Sequence, residues 1–357
     1  MKLQEMFAAA KIANYNKSLG KPMFLHEVFM EIRYTDNFKI STKVDGKNEG
    51  IAINPSNFDA DPILREFKEV ATYDEDKLYF KEAHKLNEQN RKRLFELLKM
   101  ESNKALEVFV KQRFKEMAGE DGWLDSVRIR AEIMFIQLIT SGKNAIKDKG
   151  LEKEVDYLHP TGNKALLSGA GMWTTVTGTP ISDLLKWKKL NKANTEYAIM
   201  SRKTFENMVK TDEVKNYMKE EFKITLASDE EILTGIQRKT GLQIIIYEYE
   251  AKANEREAKK VIFPDDIVSL LPRKLGYISY GPTISGIDTE LGLEVDDNMA
   301  IIPKTYATLT VTFEKSGQAN KIRQIVFEIE STMDPDEPNM SNLVIAKTAK
   351  RRKNGKN

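Results

Sequence analysis

The chain has 357 residues, and its 56 basic and 54 acidic side chains nearly cancel, so overall charge gives no ground for nucleic-acid binding. Its length and 41% hydrophobic content point to two linked lobes, or one domain with extensions. The absence of cysteine excludes a disulfide framework and a thiolate nucleophile and fits folding in a reducing cytoplasm, and no apolar run approaches the roughly 18 residues of a membrane span.

Leu3, Met6, Phe7 and Ala10 share one helical face, which predicts a short N-terminal helix docked on protein. Phe38, Ile40, Thr42 and Val44 alternate with polar residues, Asp45-Gly46 opens a turn, and Ile51 and Ile53 resume the alternation. This predicts a β-hairpin with a glycine-bearing tip, marginal alone in water. It either folds onto its own domain or lies on a neighbour. Leu94, Leu97, Leu98, Ala105, Val108 and Phe109 mark a helix face reaching about residue 118, and a second helix runs from Leu124 to Thr140 with Gly142 as its cap.

After Pro160 the pattern becomes α/β. Thr179-Pro180 predicts a helix start carrying Leu184, Leu185 and Trp187. Ala198–Met200 reads as a short buried strand, Ser201 as the cap of the next helix, and Ser228 with Glu231 as a capping box on a helix ending near Gly241. Leu242–Glu250 is the clearest buried strand, and Val261–Phe263 and Ile267–Leu271 read as further strands. Pro282–Pro303 reads as a loop. Thr305–Phe313 and Lys321–Glu330 are predicted as two long strands around Ser316-Gly317, followed by a turn-rich stretch at Met333–Asn339 and a last short strand at Leu343–Ala346. The basic tail from Lys347 to Asn357 reads as disordered, either solubilising or touching phosphate backbones.

Chemical motifs are missing. His26, His84 and His159 have no metal-ligand spacing, and HExxH, GxGxxG, the Walker spacing and GxSxG do not occur. The glycines of TGNKALLSGAG, residues 161–171, read as a turn or flexible loop. The expectation is a self-assembling subunit with no catalytic, cofactor or metal site.

Five stretches in order resemble the major capsid proteins of tailed phages, specifically the lambda-type capsid protein E family. They are PMFLHEVFMEI (Pro22–Ile32), RIRAEIMFIQLITSGK (Arg128–Lys143), EVDYL (Glu154–Leu158) with Trp173 and PISDLLKW, YAIMSRKTFENM (Tyr197–Met208), and the run from Ile267 through LPRKLGYISYGPT to Thr283. The turn NKANTEY and the charged loop Ala251–Lys260 depart from the family pattern. The resemblance implies an α+β tailed-phage (Hong Kong 97-like) capsid fold. Its parts would be an N-terminal arm (1–33), an extended hairpin loop and return (34–80), a peripheral domain with a spine helix (81–160), an axial domain (161–281), strands returning to the peripheral domain (282–346) and the basic tail (347–357). It places the hairpin on a neighbouring subunit. Expected inter-subunit contacts are Phe24 and Phe29 in the arm and Lys43, Asp45, Gly46 and Lys47 in the hairpin.

The resemblance further implies pentamers and hexamers of a virion shell, assembled in the host cytoplasm as a rounder precursor that expands as double-stranded DNA enters. A scaffolding protein and a portal would be separate chains, DNA would be held without sequence specificity, and no membrane is involved. The rival expectations are an encapsulin-like compartment with protein cargo, a soluble DNA-binding protein using the basic tail, and an enzyme with an unrecognised carboxylate site.

Overall fold

In the computed structural model the described residues are 3–21, 23–44, 71–100, 103–119, 122–148, 151–191, 195–223, 227–252, 258–290, 299–302, 306–315 and 322–349. The chain opens with α1 (Leu3–Met6), α2 (Ala9–Ser18) and α3 (Leu25–Phe29), then β1 (Met30–Tyr34), β2 (Lys39–Val44), β3 (Ala71–Asp76) and β4 (Leu78–Lys85). Three longer helices follow, α4 (Glu88–Lys99), α5 (Asn103–Ala118) and α6 (Ser126–Ser141), then strands β5 (Lys143–Asp148), β6 (Leu151–Asp156) and β7 (Lys164–Leu166). Next come α7 (Pro180–Leu190), β8 (Tyr197–Ser201), α8 (Arg202–Val209), α9 (Asp212–Glu221), α10 (Asp229–Thr240) and β9 (Gln243–Tyr247). The remainder is β10 (Glu250–Ala251), β11 (Lys260–Val261), β12 (Ile267–Leu271), β13 (Gly276–Gly281), α11 (Ile284–Glu290), β14 (Met299–Ile302), β15 (Ala307–Lys315), β16 (Ile322–Asp336) and β17 (Val344–Lys347).

The chain divides into two compact units. The first comprises Met1–Lys39, Asp76–Phe135 and Tyr277–Pro335. Its sheet has the order β1-β13-β16-β15-β14, with β4 also pairing with β16. β15 and β16 run antiparallel with Thr308 opposite Glu330 and a register shift at Glu314/Lys315. Leu309, Val311 and Phe313 alternate inward along β15, the period-two pattern of a sheet with one buried face. The N-terminal helices close this core. Phe7 is wholly buried and meets Phe114 at 6.2 Å and Phe327 at 6.0 Å, edge to face. The expected helix is therefore two helices with a break at Phe7-Ala8, and its inward residues include Ile12 and Ala13, while Ala10 is exposed.

The second unit comprises Ile40–Glu75, Ile136–Gly276 and Asp336–Asn357. Its sheet has the order β7-β17-β12-β8-β9. β12 is antiparallel to β8 and β17, while β8–β9 and β17–β7 are parallel. Ala198 and Met200, Val268 and Leu270, and Val344 and Ala346 alternate onto one face, where they pack with Leu184, Trp187, Phe205, Met218 and Ile236 of the helices. Trp173 and Trp187 stack at 5.6 Å inside this layer. All of β12 is buried, as a central strand requires.

Local signals explain several boundaries. Ser228 and Glu231 form the predicted capping box on α10, and Gly241 ends it at φ 64°. Ser201 accepts from the Thr204 N–H at the start of α8. Gly142 takes φ 77° after α6, where an added Cβ would lie 2.7 Å from the His159 Cβ, so a side chain does not fit. Pro180 stands at the first turn of α7, but Thr179 makes no side-chain cap bond. Glu213 instead accepts from the N–H groups of Ile181 (2.7 Å) and Ser182 (3.2 Å).

Other expectations change. The helix drawn through residue 118 is two helices, α4 and α5. The strand after Phe38 pairs with Ala71–Asp76, and the expected partner at Ile51–Ile53 lies outside the described residues. Gln243–Tyr247 is a terminal strand with three half-buried isoleucines, because among the described residues it pairs only with β8. The Pro282–Pro303 region carries α11 and β14, and β16 runs on through the turn-rich stretch to Asp336. β17 joins the second unit's sheet and not the first, because Val344 and Ala346 complete its apolar face. Lys347 lies in β17 and Thr348 and Ala349 are buried, so the first three residues of the expected tail are part of the second unit, and the rest lie outside the described residues.

Candidate assembly surfaces

Pro22–Ile32 supplies α3 and the start of β1, and buried charges hold α3 to the first half of α6. Glu132 is wholly buried. It accepts from the backbone N–H groups of Leu25 (3.2 Å) and His26 (2.9 Å), and its Oε2 lies 2.7 Å from His26 Nδ1. One carboxylate thus meets the orphan donors that open a helix. Arg128 donates to both oxygens of Glu27, at 2.8 and 2.9 Å. Lys21 reaches Asp125 at 2.6 Å, and Asp125 lies 3.7 Å from Arg128. Burial tends to raise the Glu27 pKa, but Arg128 and the Phe24 N–H outweigh it and hold the carboxyl below its ordinary value.

This gives a pH expectation. A depressed folded-state pKa means that the Glu27 contribution is complete above the unfolded value of about 4.3 and is lost as pH falls through the lower folded value. Glu27→Gln should cost about 1.5–3 kcal/mol near neutral pH and flatten the acid limb of a urea-stability profile. An acid limb identical to that of the parent chain would contradict the assignment.

The base of the β2–β3 strand pair is also fixed. Lys77 is 6% exposed. Its N–H donates to Phe38 O at 2.7 Å, its Nζ donates to Asn37 O at 2.7 Å, and Nζ also donates to the Thr35 hydroxyl. On β4, Lys81 stands opposite Glu330 and bonds it at 2.9 Å, with Glu328 at 3.3 Å.

Against this rigid base stands a run of exposed apolar side chains. Met23 is 71% exposed, Val28 48%, Ile32 39%, Tyr34 57% and Phe38 44%. β1 ends its sheet, so one side of its ladder has no strand neighbour among the described residues. Exposed apolar residues along a sheet edge mark an interaction surface.

The expected contact residues are distributed unevenly. Phe24 is half-buried, with its ring against His26 at 5.8 Å and Arg128 at 4.8 Å. Phe29 is 1% exposed and stacks on Phe135 at 6.2 Å, so it packs its own subunit's core and the expected inter-subunit role gives way to an internal one. Lys43 lies on β2, and Asp45, Gly46 and Lys47 lie outside the described residues. The reading from sequence missed Met23, Val28, Ile32 and Tyr34. The available signal was the pairing of His26 with Phe29 on the inward face of α3, which leaves Val28 outward.

The histidines take part in packing and hydrogen bonding. His159 Nε2 lies 2.9 Å from Leu343 O, with its pKa lowered by burial, and His84 meets Trp123 at 4.4 Å. Among the described residues no group of three or more His, Cys, Asp or Glu is placed to hold a metal ion, and no helix is long and apolar enough to cross a membrane.

Residues 78–291, over half of the chain, match the family model for phage major capsid protein E. The chain belongs to the phage major capsid protein E family. Among solved structures, this capsid protein is similar to a prophage protein of Escherichia coli CFT073 described as a capsid protein, at 13% identity and TM-score 0.56, covering 96% of this chain and 99% of that one. It is equally similar to a phage-related protein of Bordetella bronchiseptica RB50, at 9% identity and TM-score 0.56, covering 96% and 97%. At these identities the likeness concerns the fold, which is the tailed-phage (Hong Kong 97-like) capsid fold. No curated protein sequence matches this capsid protein.

Proposed function

We propose that copies of this chain assemble into pentamers and hexamers that tile an icosahedral shell around double-stranded DNA. The observation that carries the reading, beside family membership, is the exposed apolar run from Met23 to Phe38 on a rigidly clamped arm and sheet edge. Burying one such side chain contributes about 1.5–3 kcal/mol, and a closed shell repeats the contact in every subunit. The protein acts by assembly and not by turnover. The first unit serves as the peripheral domain and the second as the axial domain. Lys43, Asp45, Gly46 and Lys47 act at the tip of the extended loop, and Phe24 supports the arm. A scaffolding protein and a portal are separate partners, and the shell forms in the host cytoplasm and becomes the virion wall.

Negative-stain microscopy of the expressed chain, with and without a co-expressed scaffold, tests this. Closed shells of uniform diameter are expected. Nuclease-protected DNA in particles made during infection separates a genome container from a compartment for protein cargo. A chain that remains monomeric under every condition and shifts duplex DNA in a salt-dependent way would replace this reading with that of a soluble DNA-binding protein.

A further inference from the structure

A groove of about 400 Å³ runs between α4 and α5 in the first unit. Arg93 and Leu97 stand four apart on one side, Lys104 and Val108 stand four apart on the other, and Ala105, Phe109 and Gln112 complete the lining. Val108 is 60% exposed, whereas Leu106, Phe109, Val110 and Phe114 of the same helix are buried. The described lining carries two cations, Arg93 and Lys104, and no carboxylate. Lys104 is exposed and makes no ion pair with a described residue, whereas the acidic side chains described on these helices are already matched: Glu88 with Arg91, Glu96 with Arg93, Glu107 with Lys111 and Glu116 with Arg113.

We propose that this groove docks an acidic amphipathic helix of a partner protein. An apolar stripe of the partner would cover Val108 and Ala105 above the buried Leu97 and Phe109, and its flanking carboxylates would meet Lys104 and compete with Glu96 for Arg93, which that residue holds at 3.9 Å. Helix-in-groove recognition needs this combination of an apolar floor and charged rims. The occupant is not nucleic acid, because a phosphate backbone offers nothing to the exposed Val108 and the apolar residues around it. It is not a second copy of the chain either. Among the described helices of ten or more residues, the acidic ones are α9 and α10, and their apolar residues are committed to their own core: Val214 is 1% exposed, Met218 3%, Ile232 3% and Ile236 0%. This inference does not depend on shell formation and is tested on the unassembled subunit.

The probe is a fluorescein-labelled leucine/glutamate amphipathic peptide, with a leucine/lysine peptide of the same pattern and a labelled DNA duplex as controls, read by anisotropy. Saturable binding of the glutamate peptide is expected, at least about tenfold tighter than that of the lysine peptide. Lys104→Glu and Val108→Asp should each weaken it by about tenfold or more. Both positions are exposed, so the urea midpoint should stay unchanged. Failure of the glutamate peptide to bind overturns the proposal. Equal binding of the two peptides does so as well. Duplex binding lost in Lys104→Glu but kept in Val108→Asp would assign the groove to nucleic acid. A fall in subunit association in Val108→Asp, seen by sedimentation, would assign it to a second copy. Shells can fail to form while the peptide still binds, so the two readings fail separately.

Discussion

Glu132→Ala is expected to destabilise the subunit by about 3–5 kcal/mol, because it removes one partner from a buried charged cluster and leaves the rest in place. The backbone N–H groups of Leu25 and His26 would lose their acceptor, and so would His26 Nδ1, in a region where water does not replace it. The loss should be local before it is global. α3 would still be held by the Glu27–Arg128 pair, with Lys21–Asp125 behind it, and by the packing of Phe29 on Phe135. Limited proteolysis of the unassembled chain should therefore cut between residues 20 and 30 earlier than in the parent. Glu132→Gln keeps an acceptor for the helix N–H groups and should cost less, about 1–3 kcal/mol. A urea midpoint unchanged in Glu132→Ala would show that the cluster does not hold the arm.

That cluster was not legible in the sequence, for a physical reason. A lone Glu or Arg reads as a solvated side chain, because burying a charge is costly unless it is paired. The pairs that make burial tolerable here join residues more than a hundred positions apart, such as Glu27 with Arg128 and His26 with Glu132. Nothing local to Pro22–Ile32 announces them. Phe29 fails in the same way. An aromatic in an arm was expected on a neighbour, but its stacking partner, Phe135, comes from the distant α6.

What could be read was what is decided locally. Ser228 and Glu231 satisfy each other within one turn, Gly241 takes φ 64° where α10 ends, and the alternation of β15 reflects its own pleat. The hairpin β5–β6 escaped because Lys143, Glu154 and Asp156 bond across it at 2.8 and 2.9 Å, so a strand rich in charge shows little apolar period. β9 shows the converse. Three consecutive isoleucines state that a strand is apolar, but whether it is central or terminal depends on which strands arrive beside it. The family resemblance went further than any of these signals because it used the order of motifs along the chain. It could not say that β17 closes the second unit's sheet, since that depends on pairing with β7 and β12.

Deleting Thr42–Gly50 is expected to leave a folded subunit that makes no closed shells. Among the described residues β2 and β3 form a two-stranded sheet of their own, separate from both larger sheets. A two-stranded ribbon contributes little to stability on its own. The clamp at its base, Lys77 with Phe38 and Asn37, lies outside the deletion and should survive it. The urea midpoint should therefore correspond to a loss of no more than about 1 kcal/mol. Assembly should respond very differently, because a contact repeated in every subunit multiplies a small local loss across the whole particle. Sedimentation should show only small oligomers where the parent chain gives particles. Lys43→Glu and Lys47→Glu, which keep the backbone length, should give an intermediate yield of shells. Normal particles from the deletion, seen by electron microscopy, would remove the strand pair from the assembly mechanism and leave the Met23–Phe38 surface to carry it.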